Sequence, residues 1–333
     1  RPTPAELLRR ARTAVSDVNA PTWGIDLRAT ADGVERARSR EVIDLAMRIA
    51  ESTLSTGASS ADVTASILEV TRAYGLRSVH VDVTFTAIAV THHRGAYDDP
   101  VTMVRTVRVR SHDYQRLAET HALINSITRD NLSLEDARDR FQEIMKRPRI
   151  YRRGIVTLAL VLMAGGVSAL MGGTLSEIGL AMGIVALVDR ASLWTAHHKL
   201  AAFFGQILGG AIPTAFAMTL VALAAYLPPG FDKLRPSVLV ATGIIVLLSG
   251  LAVVGAAQDA IDGYYVTAAG RTFEVVVLTL GIVVGVLSVI TLASRLGVPS
   301  YLIPPASQAS SMFVQIAAVI AIAAGFALSG YAG

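Results

Sequence analysis

Four ionisable side chains, Asp259, Asp262, Arg271 and Glu274, stand within sixteen positions of one another between two strongly apolar stretches of this chain. Asp259 and Asp262 are three residues apart, as are Arg271 and Glu274, a spacing that places each pair on one helix face. Each such group costs about 2.5–3.5 kcal/mol near the centre of a membrane helix unless it is paired or wetted. With Gln258 beside them they could form one polar cluster joining two helices, although an ordinary capped loop would use the same residue types. Asp189 precedes Trp194 by about a turn, where it suits either an interfacial anchor or a place in a polar pathway. Gln206, Gly209 and Pro213 fall in the stretch Gly-Gln-Ile-Leu-Gly-Gly-Ala-Ile-Pro at 205–213. Small residues four apart permit close helix contact. A proline there removes a backbone donor, which makes either a packing kink or a broken helix whose freed backbone groups bind a substrate.

A second constellation lies earlier in the chain: His80 and Asp82, with His92, His93, His112 and Asp113 within reach in sequence. His80 and Asp82 alternate on one strand face, and a hairpin could bring His92 or His93 close. That pattern resembles a metal or hydrolase site only loosely, and a polar sheet face open to water explains it as well. The chain has no cysteine, which excludes disulfides, iron–sulfur ligation and thiol redox chemistry. No G-x-x-x-x-G-K-[ST], G-x-S-x-G, H-E-x-x-H or EF-hand pattern occurs, so a phosphate cradle, a nucleophile elbow and the common metal motifs are missing. No cofactor is expected.

The elements that must position these residues follow from where charge is absent. Of 56 Asp, Glu, Lys and Arg residues, 44 lie in the first 153 positions. From 154 onward there are six apolar runs, at 154–172, 178–194, 200–227, 237–257, 273–294 and 312–332. Most reach the ~17–25 residues a helix needs to cross ~30 Å of hydrocarbon. The mean hydropathy of +0.50 averages two solvents. The expected fold is therefore an α-helical multi-pass membrane protein with five or six spans, preceded by a soluble α+β domain. The domain boundaries read as a mobile arm over 1–40, the soluble domain over 41–150 and the membrane part over 151–333.

Within the soluble part, apolar residues at helical spacing from Glu41 stop at Gly57, and Ser59 with Asp62 opens a second helix ending near Tyr74-Gly75. Val79, Val81 and Val83 alternate with polar residues as a strand. Residues 87–91 are its partner and 101–109 a third strand, and helices over 113–128 and 133–146 complete the order helix, helix, small antiparallel sheet, helix, helix. Basic residues near segment ends favour an inward side that receives the N-terminal domain, eight to three by alternate connections. The connection 295–311 then faces outward. The basic surface has no interleaved aromatics and suits anionic lipid rather than nucleic acid.

The order of these parts is similar to the threonine/serine exporter (ThrE) family of bacterial inner-membrane transporters. The carrying residues are Gly57-Ala58-Ser59-Ser60 with Asp62-Val63, Tyr74-Gly75-Leu76, His80-Val81-Asp82-Val83-Thr84 and Gly209-Gly210-Ala211-Ile212-Pro213. Clearest are Gln258-Asp259-Ala260-Ile261-Asp262-Gly263 and the stretch from Thr267 to Arg271-Thr272-Phe273-Glu274. The resemblance implies a secondary transporter, not an enzyme, exporting L-threonine and L-serine with protons across the bacterial inner membrane. It also implies more membrane helices than the six runs here, so a truncated chain, a homo-oligomer or a second membrane subunit is expected. For a zwitterionic substrate, Arg271 would meet the carboxylate, Asp259 or Glu274 the ammonium group, and one of those carboxylates would carry the proton. Two alternatives stand beside this reading: a half-subunit of a two-part exporter, and a membrane-anchored hydrolase working through His80 and Asp82.

Overall fold

The division of charge along the chain is a division in space. The computed structural model describes residues 27–93, 99–107, 113–148, 151–223, 226, 234–248, 250–298 and 311–330, with side chains from residue 35 onward. The first helix, α1 (Leu27–Ser55), begins before the expected Glu41, so residues 27–40 are helical where an irregular arm was expected. Weakly apolar sequence without periodicity hides that extension; among the described side chains the buried apolar ones begin at Val42. α2 (Ser60–Ala73) follows, then β1 (Val79–Thr84), β2 (Ala87–His92) and β3 (Val101–Thr106), joined as an antiparallel sheet in sequential order. Val83 pairs with Ile88 and Val90 with Met103. The end expected for the third strand, 108–109, lies outside the described residues. α3 (Tyr114–Arg129) and α4 (Leu134–Lys146) complete this domain.

One core unites it. Ile43, Leu45 and Ile49 of α1, Val63, Ile67 and Val70 of α2, Ile88 and Val90 of the sheet, and Ile124, Ile127 and Phe141 of the last two helices are all buried together. Ser59 and Ser133 cap α2 and α4 by accepting the backbone N–H of Asp62 and Asp136, each at 3.1 Å. Both caps follow from the Ser-x-x-Asp spacing. The Tyr74 hydroxyl donates to Leu132 O at 3.2 Å, and burial, with Asp136 nearby, raises its pKa above the ordinary tyrosine value.

The apolar runs become α5 (Arg153–Leu170), α6 (Leu175–His197), α7 (Ala202–Ala222), α8 (Pro236–Leu247), α9 (Gly250–Ile261), α10 (Tyr265–Arg295) and α11 (Met312–Ser329). Among the described residues five of these are long and apolar enough to cross a membrane, and six spans result if α8 and α9, set at 48°, count as one. The fourth run is thus two helices bent at 48° rather than one continuous helix. Pro213, by contrast, sits inside a continuous α7. It is a packing element and not the break considered from the sequence: a Cβ placed on Gly243 of α8 would fall 2.6 Å from Pro213 Cβ. The lateral contacts are built on small residues, as expected where no hydrophobic drive separates helix from lipid. α7 and α10 run parallel in close contact, and a Cβ on Gly285 would stand 2.1 Å from Ile207 O. α5 and α11 are antiparallel, with Gly166 against Ala318 and Ile322 and Gly325 against Ala159 and Met163.

The longest helix reaches beyond the others. α10 has 31 residues, about 46 Å at ~1.5 Å per residue, against ~30 Å of hydrocarbon. Gly281 lies beside Phe203 and Gln206 near the start of α7, so α10 before residue 278 projects past that helix end toward the α+β domain.

Candidate functional site

Asp259 ends α9 and Arg271 lies two turns into α10. The connection between them depends on Gly263, whose φ of +87° is the left-handed conformation glycine adopts without steric cost. The helix-ending turn closes with Tyr264 N–H donating to Asp259 O at 2.7 Å. That folds the two side chains toward each other: Arg271 Nη1 is 3.1 Å from Asp259 Oδ2. Asp259 is 0% and Arg271 5% exposed. Removing two charges from water costs several kcal/mol per ion, so such a pair persists only with further hydrogen bonds.

Those bonds come from the α+β domain. Ser60 N–H, at the first turn of α2, donates to Asp259 Oδ1 at 2.8 Å. Arg271 Nη2 donates to Ala58 O at 2.9 Å. Orphan N–H groups and the positive end of the helix dipole both favour an anion at this position. Beside the pair, Tyr264 Oη donates to Thr64 Oγ1 at 3.1 Å. Thr267 Oγ1 donates to Val83 O at 3.2 Å and accepts the Phe85 N–H at 3.0 Å. Phe85 turns the chain from β1 to β2 at φ +52°, a conformation costly for a bulky side chain. Two small residues make room for the fit, since a Cβ on Gly255 would meet Arg271 Nη1 at 2.8 Å and one on Gly270 the Phe85 ring at 2.8 Å.

The segments 57–63, 80–84, 258–263 and 267–274 therefore meet at one junction between the domain and the helices. Of the residues expected in a pathway, the structure joins Asp259 and Arg271. Gln258 and Glu274 are exposed on the same helices, and Asp262 is exposed in the turn between them. Gln206 is elsewhere, at the α7–α10 contact, with its Oε1 buried and without a hydrogen-bond partner. Gly209 and Pro213 are buried one and two turns further along α7. Asp189 is buried and bound by Arg153 and Arg190, both at 2.7 Å, and by the Thr157 hydroxyl at 2.8 Å, a cross-tie between α5 and α6.

His80 and Asp82 stand on the exposed sheet face, whereas His92 is buried on the other and its Nδ1 lies 3.1 Å from Ser78 O. The antiparallel register sets His92 opposite Val79, not His80, so the hairpin separates the two imidazoles. His112 lies outside the described residues. Among the described residues no three His, Asp or Glu side chains converge to hold a metal.

Sequence reasoning missed a second carboxylate–arginine pair, its carboxylate buried and its arginine partly exposed. Glu177, 0% exposed, accepts from Thr174 N–H at 2.7 Å, Thr174 Oγ1 at 3.2 Å, Arg235 N–H at 2.7 Å, Arg235 Nε at 3.2 Å and Arg235 Nη2 at 3.0 Å. Arg235 Nη2 also donates to Gly172 O. The Thr174-x-x-Glu177 spacing before an apolar run is the signal that announces this carboxylate as a capping box.

Residues 44–293, three quarters of the chain, match the protein-family model described as "Putative threonine/serine exporter". The chain is 41% identical over 258 residues to the "Probable threonine/serine exporter" of Mycobacterium tuberculosis, covering 78% of this chain and 47% of that protein. It is 33% identical over 307 residues to the "Threonine/serine exporter" of Corynebacterium glutamicum, covering 91% of this chain and 62% of that protein. The chain thus spans about half the length of the first of these curated relatives and under two thirds of the second. No solved structure matches it.

Proposed function

The chain belongs to the threonine/serine exporter family, and on that premise we propose that it exports L-threonine and L-serine from the bacterial cytoplasm, driven by the proton-motive force. The observation that carries the reading is the buried Asp259–Arg271 pair at the junction of the α+β domain and the projecting α10. A zwitterionic amino acid needs one cation and one anion, and this junction supplies both, paired with each other while no substrate is bound. Arg271 takes the carboxylate, and Asp259 or Glu274 takes the ammonium group and, in the return step, the proton. In this reading the onward route follows α7, where Gln206 Oε1 is buried without a hydrogen-bond partner and Gly209 and Pro213 pack against α8. The α+β domain lies on the cytoplasmic side of the inner membrane, in keeping with Lys146, Arg147, Arg152 and Arg153 at the entry to α5.

Efflux of labelled threonine from preloaded proteoliposomes, with and without an imposed proton gradient, tests the proposal. Gradient-dependent efflux that serine competes away is expected, and efflux indifferent to the gradient would remove the proton coupling. A cysteine at Ser300, in a chain that otherwise has none, checks orientation: labelling of intact cells by an impermeant reagent is expected, and protection reverses the topology. A second reading, in which transport needs helices supplied by a second copy or another subunit, rests on the greater length of the relatives. Efflux that appears only on co-reconstitution with such a partner would favour it.

A further inference from the structure

The geometry points to the Arg271–Ser60 locus as a receptor for the α-carboxylate of the transported amino acid, held in the substrate-free state by Asp259 as an internal substitute. The inference rests on the exporter reading and deepens it, because it assigns which atoms the substrate displaces.

Three observations carry it. First, the donors around the Asp259 carboxylate are those a free carboxylate would choose: a guanidinium at 3.1 Å and a helix N-terminal N–H at 2.8 Å, both fixed before any ligand arrives. Second, Asp259 uses them incompletely. An ionised carboxylate offers about four acceptor sites, yet Asp259 Oδ2 is buried without a hydrogen bond and has only its ion-pair contact. Third, Ser60 Oγ is buried with no hydrogen-bond partner, on the residue whose N–H holds Asp259. A buried orphan hydroxyl carries an unrecovered desolvation cost, regained only when a partner comes within reach. A hydroxy amino acid brings acceptors and a hydroxyl to that point.

Exchange keeps the charges matched. The substrate carboxylate replaces Asp259 on Arg271 and Ser60, while Asp259 turns to the substrate ammonium. The four charges then alternate, and none is left buried and unpaired. The Ser60–Asp259 bond, one of the ties between α2 and α9, is exchanged for two bonds to the substrate. Substrate occupancy thereby changes how the α+β domain holds the helices.

The test uses 3-hydroxybutyrate, which is threonine without its ammonium group, and L-threonine, on the chain in lipid nanodiscs, by calorimetric titration and thermal melting. Wild-type protein should bind threonine and take 3-hydroxybutyrate poorly, because Asp259 competes. Asp259→Ala should bind 3-hydroxybutyrate about tenfold more tightly than wild type, since the competent state is no longer occupied by the internal carboxylate. The added carboxylate should also raise its melting temperature. Combining Asp259→Ala with Arg271→Ala should abolish both effects. Where Asp259→Ala is too unstable to titrate, Asp259→Asn carries the same comparison. Wild-type binding of threonine without any gain for 3-hydroxybutyrate in either variant overturns the inference and leaves the exporter reading intact. A gain for 3-hydroxybutyrate in protein that never binds threonine or serine overturns the exporter reading while the carboxylate receptor stands.

Discussion

The bent helix pair α8–α9 begins at one carboxylate–arginine pair and ends at another, and the two are built to opposite specifications. At its start, Glu177 accepts five hydrogen bonds and closes the N-termini of both α6 and α8 within the helical domain. At its end, Asp259 accepts one hydrogen bond, and its partner Arg271 reaches across a domain boundary to Ala58. Burial is complete for both carboxylates, so burial does not distinguish them; saturation does. A carboxylate whose acceptor sites are filled has nothing to offer a ligand and serves the fold. One left short of partners retains capacity for exchange.

The sharpest way to break this comparison is to remove each carboxylate in turn. Glu177→Ala takes the carboxylate from Arg235, whose side chain is 28% exposed, and strips the bonds that close two helix N-termini, a loss of about 2–3 kcal/mol. The expected outcome is a loss of most folded protein, read by thermal melting and by monodispersity after detergent extraction. An Asp259→Ala melt lowered just as far would mean that the two pairs are equivalent struts.

The next effect is smaller and local. Arg271→Ala removes the link to Ala58 together with the ion pair, but the domain can relieve the mismatch by opening at the junction rather than by unfolding. Hydrogen exchange in 59–64 and 83–86 should therefore rise by about tenfold, while the α5–α11 and α7–α10 contacts keep their protection. Exchange that rises equally throughout the helices would place Arg271 in the same class as Glu177.

The contrast between the pairs also separates what the sequence discloses from what it withholds. Five of the six apolar runs, the strand alternation Val79-His80-Val81-Asp82 and the two Ser-x-x-Asp caps are local patterns that became the elements they implied. Asp259 and Arg271 were legible as rare charges at the edges of apolar runs. Their partners were not, since Ala58, Ser60 and Val83–Phe85 lie some 180–210 positions away and make contact largely through backbone atoms, which carry no residue-type signal. The bend in the fourth run had a faint signal that was passed over, the Ser249-Gly250 dipeptide after Leu248, since Gly/Ser pairs are common sites of helix kinks. Pro213 misdirected attention to α7, where neighbouring helices tolerate a proline that would break an isolated one.

The smallest effect sharpens the comparison most, because two nearly identical caps differ only in where they sit. Ser59→Ala and Ser133→Ala each remove a hydroxyl that accepts the N–H three residues on and donates to the following aspartate, at 2.7 Å for Asp62 and 2.6 Å for Asp136. Each should cost about 1 kcal/mol of domain stability. α4 begins at an exposed cap, whereas the first turn of α2 supplies the Ser60 N–H that holds Asp259. Loosening that turn weakens the junction by the same free energy, about a fivefold loss of threonine affinity, and Ser133→Ala should leave affinity unchanged. Paired melting and binding measurements on the two variants decide the matter. Equal melting with unequal binding ties the N-terminus of α2 to substrate recognition, and equal binding would reduce the junction to a mechanical hinge.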